Sequence, residues 1–232
     1  MAEQLALNVG LRDSAVFETY YAGPNRPVVG ALQALGLGRG ELQIFLWGGA
    51  GAGKSHLLQA VCHLAAGEGP GAVFLPLRTL GVHGPDILDG MLGRGVICLD
   101  DVDAVLGDPQ WERGLFNLIN DLRLHEQPLL MSAALSPVHL RAGLPDLASR
   151  LQWGAVFQLH PLDDEAKLEA LSQRAQARGL ALPVEAGRYL LHRYPRDLGT
   201  LLGVLDRLDA ASLAAQRRLT VPFIKQVLGG DL

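Results

Sequence analysis

Residues Gly48 to Ser55 read Gly-Gly-Ala-Gly-Ala-Gly-Lys-Ser, the G-x-x-x-x-G-K-S pattern of a phosphate-binding loop. The preceding residues, 43–47, are mostly apolar and favour a β-strand, and residues 55–66 carry apolar side chains at helical spacing. The chain has only three lysines, so a chance match to this pattern is rare. The alternative is a glycine-rich turn before a helix, but the strand–loop–helix context favours a nucleotide-binding loop.

The loop pattern assigns a role to each part of the predicted site. Glycines let successive N–H groups turn inward around a phosphate, and the N-terminus of the following helix adds a favourable dipole. Lys54 is expected to reach the β- and γ-phosphates, and the Ser55 hydroxyl is expected to bind Mg²⁺. The predicted nucleotide contacts run along Gly48, Gly49, Ala50, Gly51, Ala52, Gly53, Lys54, Ser55 and His56. The His56 ring itself shows no ligand pattern and is interpreted as a packing or surface group.

Composition limits the class of protein. Apolar residues make up 49% of the 232 residues, yet no apolar run approaches the ~20 residues that a membrane span needs. The N-terminus lacks the features of a signal peptide, and the two cysteines, Cys62 and Cys98, suggest neither a disulfide framework nor a metal site. A cytoplasmic protein without a membrane partner is therefore expected. The net charge of −4 argues against a general affinity for nucleic acid.

Apolar segments alternate with helical patterns along the first 160 residues. Continuous apolar runs, rather than alternating ones, predict parallel strands that are buried on both faces. These candidate strands are 44–47, 72–77, 96–99, 129–132 and 155–159, and a helix is predicted over 109–126. The order predicts an α/β fold of the P-loop NTPase type, with its ligand at the carboxyl ends of the strands.

No strand candidate remains after Pro161. Helices are predicted from Asp163 or Asp164 to Arg178, over 183–193, over 195–217, and from an N-cap at Thr220 to about Gly229. The predicted domains are a tail at 1–10, an α/β nucleotide-binding domain at 11–162 and a small helical domain at 163–232. Because no flexible linker separates the last two, we expect the helical domain to act as a lid over the nucleotide.

Acidic residues follow the third strand, about 43 residues after the loop. Asp100 is expected to hold Mg²⁺ through water, and Asp101 to orient the attacking water as a general base. The alternative is a pair of solvated acids at the end of a strand. Ser132, at the end of the fourth strand, can contact the attacking water or the γ-phosphate. A serine whose hydroxyl is hydrogen-bonded within a turn explains the sequence equally well.

Arginines complete the set of candidate residues. Arg150 precedes the fifth strand, where it can reach a nucleotide on a neighbouring subunit as an arginine finger. A salt bridge to Asp146 or to other acids nearby is the alternative. Arg196 begins the third helix of the C-terminal domain and can reach back to the phosphates, although a surface arginine would look the same.

Together these residues resemble the AAA+ ATPases of the DnaA/Hda group. The segment Phe17-Glu-Thr-Tyr-Tyr-Ala-Gly-Pro-Asn25 looks like the part of that group that lies beside the adenine, which implies that Asn25 contacts the nucleotide. The Asp100-Asp101 pair, the Leu-Pro-Asp-Leu-Ala-Ser-Arg run that ends at Arg150, and the helix start at Arg196 also match. The resemblance implies an arginine finger at Arg150 and a sensor-2 arginine at Arg196.

The tail also resembles a known motif of replication proteins. Gln4-Leu5-Ala6-Leu7-Asn8-Val9 looks like the short peptide that binds the DNA polymerase III sliding clamp (its β subunit). A glutamine amide at the rim of a pocket, followed by spaced apolar side chains in a groove, is a low-cost way to dock a short segment. The implied clamp contacts are Gln4, Leu5, Leu7 and Val9, although a frayed terminus is the usual reading of such a sequence.

The resemblance implies a negative regulator of replication initiation. An ADP-bound protein, tethered to the clamp, would stimulate hydrolysis of the ATP held by the DnaA initiator. Ala133-Ala134-Leu135 replaces polar residues that are usual in DnaA relatives, which implies at most weak ATP hydrolysis by the chain itself. No sequence-specific DNA-binding domain is expected, and a nucleotide-dependent homo-oligomer is left open. The alternatives are an AAA+ helicase loader or related replication adaptor and, in a different class, a P-loop kinase.

Overall fold

A computed structural model of the chain describes residues 10–194, 198–215 and 217–229. Its first unit contains a five-stranded sheet in the order β2-β3-β4-β1-β5, in which every neighbouring pair is parallel. The strands are β1 (Gln43–Trp47), β2 (Ala72–Pro76), β3 (Val96–Asp100), β4 (Leu129–Ala133) and β5 (Ala155–Gln158). Each lies within one residue of its predicted bounds, so the predicted parallel sheet is confirmed.

Helices cover both faces of the sheet, which is why the strands read as continuous apolar runs. They are α1 (Arg26–Gly36), α2 (Lys54–Glu68), α3 (Leu77–Leu80), α4 (Pro109–Leu124) and α5 (Pro145–Leu151). Successive residues of β1 face opposite layers: Ile44 and Leu46 pack with α1 and α2, whereas Phe45 packs with α4 and α5. The sequence-based analysis did not predict α1, α3 or α5.

Parallel pairing brings the functional loops together. Because Trp47 is in register with Ala133, and Leu99 with Met131, the carboxyl ends of β1, β3 and β4 lie side by side. The phosphate-binding loop follows β1, and the predicted acids follow β3. The opposite edge of the sheet, where the strands begin, carries the segment that joins α5 to β5.

Glu112, in the first turn of α4, ties two loop segments to that helix. It is 3% exposed, and its carboxylate accepts N–H bonds from Gly107, Gly143 and Leu144 at 2.7–2.8 Å. Burial by itself raises the pKa of this carboxyl, but the three donors outweigh burial and hold the pKa below its ordinary value of 4.5. A folded-state pKa below the unfolded value stabilises the fold above that value, and the contribution is lost as the pH falls through the folded pKa.

Glu112→Gln should lower the free energy of unfolding at pH 7 by about 1–3 kcal/mol, because an amide cannot satisfy all three buried donors. The difference from wild type should shrink as the pH falls below 4.5 toward the folded-state pKa, because protonation of the wild-type carboxyl removes its contribution. Urea denaturation followed by tryptophan fluorescence measures this unit, because Trp47, Trp111 and Trp153 all lie in it. Glu18→Gln, at an exposed position, is the control. A gap between wild type and Glu112→Gln that did not depend on pH would contradict the assignment.

The second unit is helical, and the chain divides between His160 and Pro161. Its helices are α6 (Asp164–Ala177), α7 (Val184–Arg193), α8 (Leu198–Ala215) and α9 (Val221–Leu228). The Asp163 carboxylate caps α6 by accepting the Ala166 N–H, and the Thr220 hydroxyl caps α9 by accepting the Phe223 N–H. Of the two acids that could cap α6, Asp163 is therefore the cap, and the predicted Thr220 cap is confirmed. The described helices include none that is long and apolar enough to cross a membrane.

Candidate nucleotide site

The loop from Gly48 to Ser55 joins β1 to α2, as the sequence predicts. Gly53 has φ +94°, a conformation that side chains other than glycine rarely adopt, and it directly precedes the first residue of α2. A Cβ on Gly53 would also approach the Tyr20 ring to 2.7 Å. Gly49, in contrast, has open space around it. The loop therefore depends on glycine at Gly53 much more than at Gly49.

Lys54 is folded back onto this loop. Its side chain is buried, and Nζ donates to the carbonyl oxygens of Gly48 at 2.7 Å and Gly49 at 3.2 Å. The ammonium group thus lies inside the curve of the loop, where a phosphate bound to the loop N–H groups would meet it. This location fits the predicted contact with the β- and γ-phosphates.

Asp100 and Ser55 meet, although 45 residues separate them in the sequence. The Asp100 carboxylate lies close enough to the Ser55 hydroxyl for that donor to lower its pKa, and it accepts a 2.5 Å bond from Ser132. Burial raises the pKa of Asp100, and the two hydroxyl donors only partly oppose that effect. A buried carboxylate next to a hydroxyl provides the hard oxygen ligands that Mg²⁺ prefers, so these residues fit the predicted magnesium site.

The Ser132 hydroxyl both donates and accepts a hydrogen bond within the protein. It is fully buried, donates to Asp100, and accepts the Asp101 N–H at 3.0 Å. Of the two readings of Ser132, the geometry favours the satisfied serine, which holds β4 against the end of β3.

Asp101 points toward a cation instead of standing free. Its backbone has φ 55°, and its Oδ2 accepts from Arg78 Nε at 2.8 Å. Hydrogen bonding to Asp101 is the main cause that raises the pKa of Arg78. The predicted base is therefore ion-paired, and its part in catalysis stays a prediction.

The segment before α1 forms one wall of the loop. Tyr20 lies against Gly53, and burial raises the pKa of its hydroxyl to about 12 against the lowering effect of a hydrogen bond with Asn25. Asn25 is 1% exposed, donates to the His160 carbonyl and accepts the His160 N–H. Its amide thus joins this segment to the end of β5, while its predicted contact with the nucleotide stays a prediction.

His56, in the first turn of α2, faces the same segment. Its Nε2 lies 2.9 Å from the Val16 carbonyl oxygen, and its ring tilts against Tyr20 with 5.5 Å between the ring centroids. This arrangement agrees with the interpretation of the ring as a packing group.

Arg150 lies at the other edge of the sheet. It is in the last turn of α5, before β5 begins, and its carbonyl accepts a hydrogen bond from Gln43, the first residue of β1. The five residues of β1 span about 16 Å, and the phosphate-binding loop begins only at their far end. The fold therefore separates Arg150 from the loop of its own chain.

The surroundings of Arg150 are polar and aromatic. Nε donates to Asn120 at 2.9 Å, and the guanidinium lies 4.1 Å from the Trp153 ring centroid and 5.5 Å from that of Phe116. Among the described residues, no carboxylate lies within ion-pair distance of Arg150. The alternative reading, a salt bridge to Asp146, is therefore wrong.

Comparisons with known proteins agree with this geometry. Residues 164–228 match the family described as "Hda, lid domain". The C-terminal helical unit therefore carries the sequence of an Hda-type lid domain. Domain III of the Thermotoga maritima replication initiation protein DnaA superposes with a TM-score of 0.78 at 22% identity, over 95% of this chain and 98% of that one.

Other solved structures share this fold. AMPPCP-bound DnaA from Aquifex aeolicus gives a TM-score of 0.68 at 23% identity, over 84% of this chain and 65% of that one. The Thermotoga maritima RuvB Holliday junction branch migration motor gives a TM-score of 0.61 at 15% identity, over 89% of this chain and 68% of that one. The predicted fold class, an AAA+ α/β domain followed by a helical lid, is confirmed.

Some predicted site residues of the Hda-like chain lie outside the described residues. These are Arg196 and the four clamp-binding candidates Gln4, Leu5, Leu7 and Val9. Their roles stay predictions.

Sequence reasoning missed four residues that shape these two edges of the Hda-like protein. Tyr20 belongs to the segment that carried the family resemblance, but nothing in it indicated contact with Gly53. Arg78, Gln43 and Trp153 are distant in sequence from their partners or unremarkable in type, so only the folded chain reveals them.

Proposed function

We propose that this Hda-like protein is a negative regulator of replication initiation that stimulates hydrolysis of the ATP bound to the DnaA initiator. The observation that carries the proposal is the location of Arg150. It is not ion-paired to any described carboxylate, and it lies at the sheet edge opposite its own phosphate-binding loop. An arginine there serves a nucleotide on another molecule better than its own.

The loop side of the molecule would hold a resident adenine nucleotide, which we propose to be ADP. Loop N–H groups and Lys54 would bind the phosphates, while Ser55 and Asp100 would hold Mg²⁺. The cation would offset the negative charge of the phosphates and of the buried Asp100 carboxylate. The likeness to DnaA solved with AMPPCP supports an adenine nucleotide, and Arg196 would couple its state to the lid.

Three features support weak hydrolysis by the chain itself. Asp101 is paired with Arg78, so it would have to leave that ion pair before it could act as a base. Ser132 is saturated by Asp100 and the Asp101 N–H. The residues after it, Ala133 and Ala134, bring no polar side chain. The resident nucleotide would then be a structural ligand rather than a substrate.

Arg150 would act in the site of DnaA. Charge accumulates on the β- and γ-phosphate oxygens as the terminal phosphoryl group is transferred to water. A guanidinium offers parallel N–H donors and a fixed positive charge to two of these oxygens at once. Its contribution exists only when the two proteins are docked, so hydrolysis would be confined to the complex.

The sliding clamp is the proposed second partner, through Gln4, Leu5, Leu7 and Val9. A short tail that binds DNA-loaded clamp would raise the local concentration of the regulator where replication is under way. Asn8 and Val9 depart from the bulkier apolar endings of stronger motifs, which favours a modest affinity.

Hydrolysis of DnaA-bound ATP tests the proposal, with this protein added in the presence and absence of DNA-loaded clamp. A chain that lacks residues 1–9 is compared with wild type. We expect stimulation that depends on the clamp and is lost on truncation. Stimulation by wild type and truncated chain alike would remove the tethering role only. No stimulation at any clamp concentration would overturn the proposal and favour a helicase loader or related adaptor.

A further inference from the structure

Trp153 contacts two guanidinium groups at the edge of the sheet that carries Arg150. The Arg150 Cζ lies 4.1 Å from a Trp153 ring centroid, and the Arg123 Cζ lies 4.0 Å away. Both distances are within the range of cation–π attraction, for which tryptophan is the best aromatic partner. Neither arginine is ion-paired to a carboxylate anywhere in 10–194, 198–215 or 217–229.

The turn that carries Trp153 is itself fixed. Gln43 is 7% exposed, and its Nε2 donates to the Arg150 carbonyl at 2.8 Å and to the Trp153 carbonyl at 3.0 Å. The next residue, Gly154, has φ +70°, and a Cβ there would collide with the Gln43 carbonyl. The buried Gln43 amide thus fixes the backbone of Arg150 and Trp153 together with a direct bond from the Trp153 N–H to the Arg150 carbonyl at 3.2 Å.

We propose that Trp153 is a positioning residue for Arg150: its indole holds the guanidinium in the orientation needed for action on the nucleotide of another molecule. This inference rests on the proposed function. An arginine side chain has four rotatable bonds, and ordering it only on docking would cost conformational entropy. With the indole on one side and Asn120 bonded to Nε, much of that ordering is present before docking.

Arg123 contributes in a different way. It places a second positive charge against the same indole. The ring attracts both guanidinium groups without neutralising their charge. Phosphate oxygens approaching this edge would therefore meet two cations, neither of which has a described carboxylate within ion-pair distance. Trp153 acts through Arg150 rather than on the reacting atoms.

Stimulated hydrolysis of DnaA-bound ATP separates positioning from docking. Trp153→Leu should lower the maximal stimulated rate about three- to tenfold, because one cation–π contact is lost. The concentration of regulator that gives half of that rate should change less than twofold. Trp153→Phe keeps an aromatic face and should restore most of the rate. Arg150→Ala marks full loss, and urea denaturation reports whether each variant is folded.

A second readout needs no DnaA. The NMR order parameter of the Arg150 Nε–H bond measures the mobility of the side chain directly. It should fall in Trp153→Leu and stay near wild type in Trp153→Phe, while exposed Arg141 serves as the unchanged reference. A Trp153→Leu variant with wild-type rate and wild-type order at Arg150 would overturn the inference. If wild type itself gave no stimulation, the proposed function would fail and the order parameter alone would decide the positioning role.

Discussion

Arg150→Ala should lower the stimulated rate of hydrolysis of DnaA-bound ATP by about 10³-fold or more, the usual effect of removing an arginine finger. A factor of 10³ corresponds to about 4 kcal/mol of transition-state stabilisation. The loss should appear in the rate at saturating regulator. The affinity of the variant for its own ADP should not change, because the full length of β1 separates Arg150 from the phosphate-binding loop.

Two matched variants sharpen this result. Arg150→Lys keeps the charge but loses the parallel donors, so it should recover only part of the rate. Arg141→Ala removes an exposed arginine nine residues earlier and should behave as wild type. Near-normal stimulation by Arg150→Ala, with the protein folded and bound to ADP, would remove Arg150 from the mechanism.

Gly53→Ala is the second variant with a large expected effect. At φ +94° an alanine carries about 1–3 kcal/mol of strain, and its Cβ would also push the Tyr20 ring away from the loop. The free loop can release this strain by leaving the geometry that binds phosphate, so nucleotide binding must restore it. If all of the strain falls on the complex, affinity for Mg²⁺–ADP should drop roughly 5- to 150-fold in a calorimetric titration.

Gly49→Ala provides the control in the same loop. Gly49 has open space around its missing Cβ and does not have the left-handed backbone of Gly53. The two variants add the same methyl group four residues apart, so a difference between them isolates backbone conformation from bulk. Equal losses of affinity in both would contradict the assigned role of Gly53.

The strands and the loop could be predicted because their signals are local. Five short apolar runs separated by helical patterns predict parallel strands. Lys54 and Ser55 indicate that the loop after the first of these strands binds phosphate. The caps at Asp163 and Thr220 are local signals as well, since each accepts an N–H from three residues further on. Physical chemistry within a few residues is enough for such features.

Long-range partnerships could not be predicted. Asp101 reads as a free acid until Arg78, 23 residues earlier, is found on its carboxylate. Asn25 reads as a ligand contact, yet its amide bonds the backbone of a residue 135 positions away. Gln43 reads as the start of a strand, and only the fold shows that it holds the turn beyond α5. Each depends on which segments become neighbours, which no local pattern encodes.

The opposite locations of the phosphate-binding loop and Arg150 give this protein a polarity. At one edge of the sheet a neighbour's arginine could contact the bound nucleotide, and at the other edge Arg150 could contact the nucleotide of another molecule. A contact in which one molecule's Arg150 edge meets the loop edge of the next is heterologous, because it joins two different surface patches. Under the proposed function, a regulator that docks by its Arg150 edge would keep its own phosphate-binding loop at the far end of the sheet, so its contact with DnaA would have a direction.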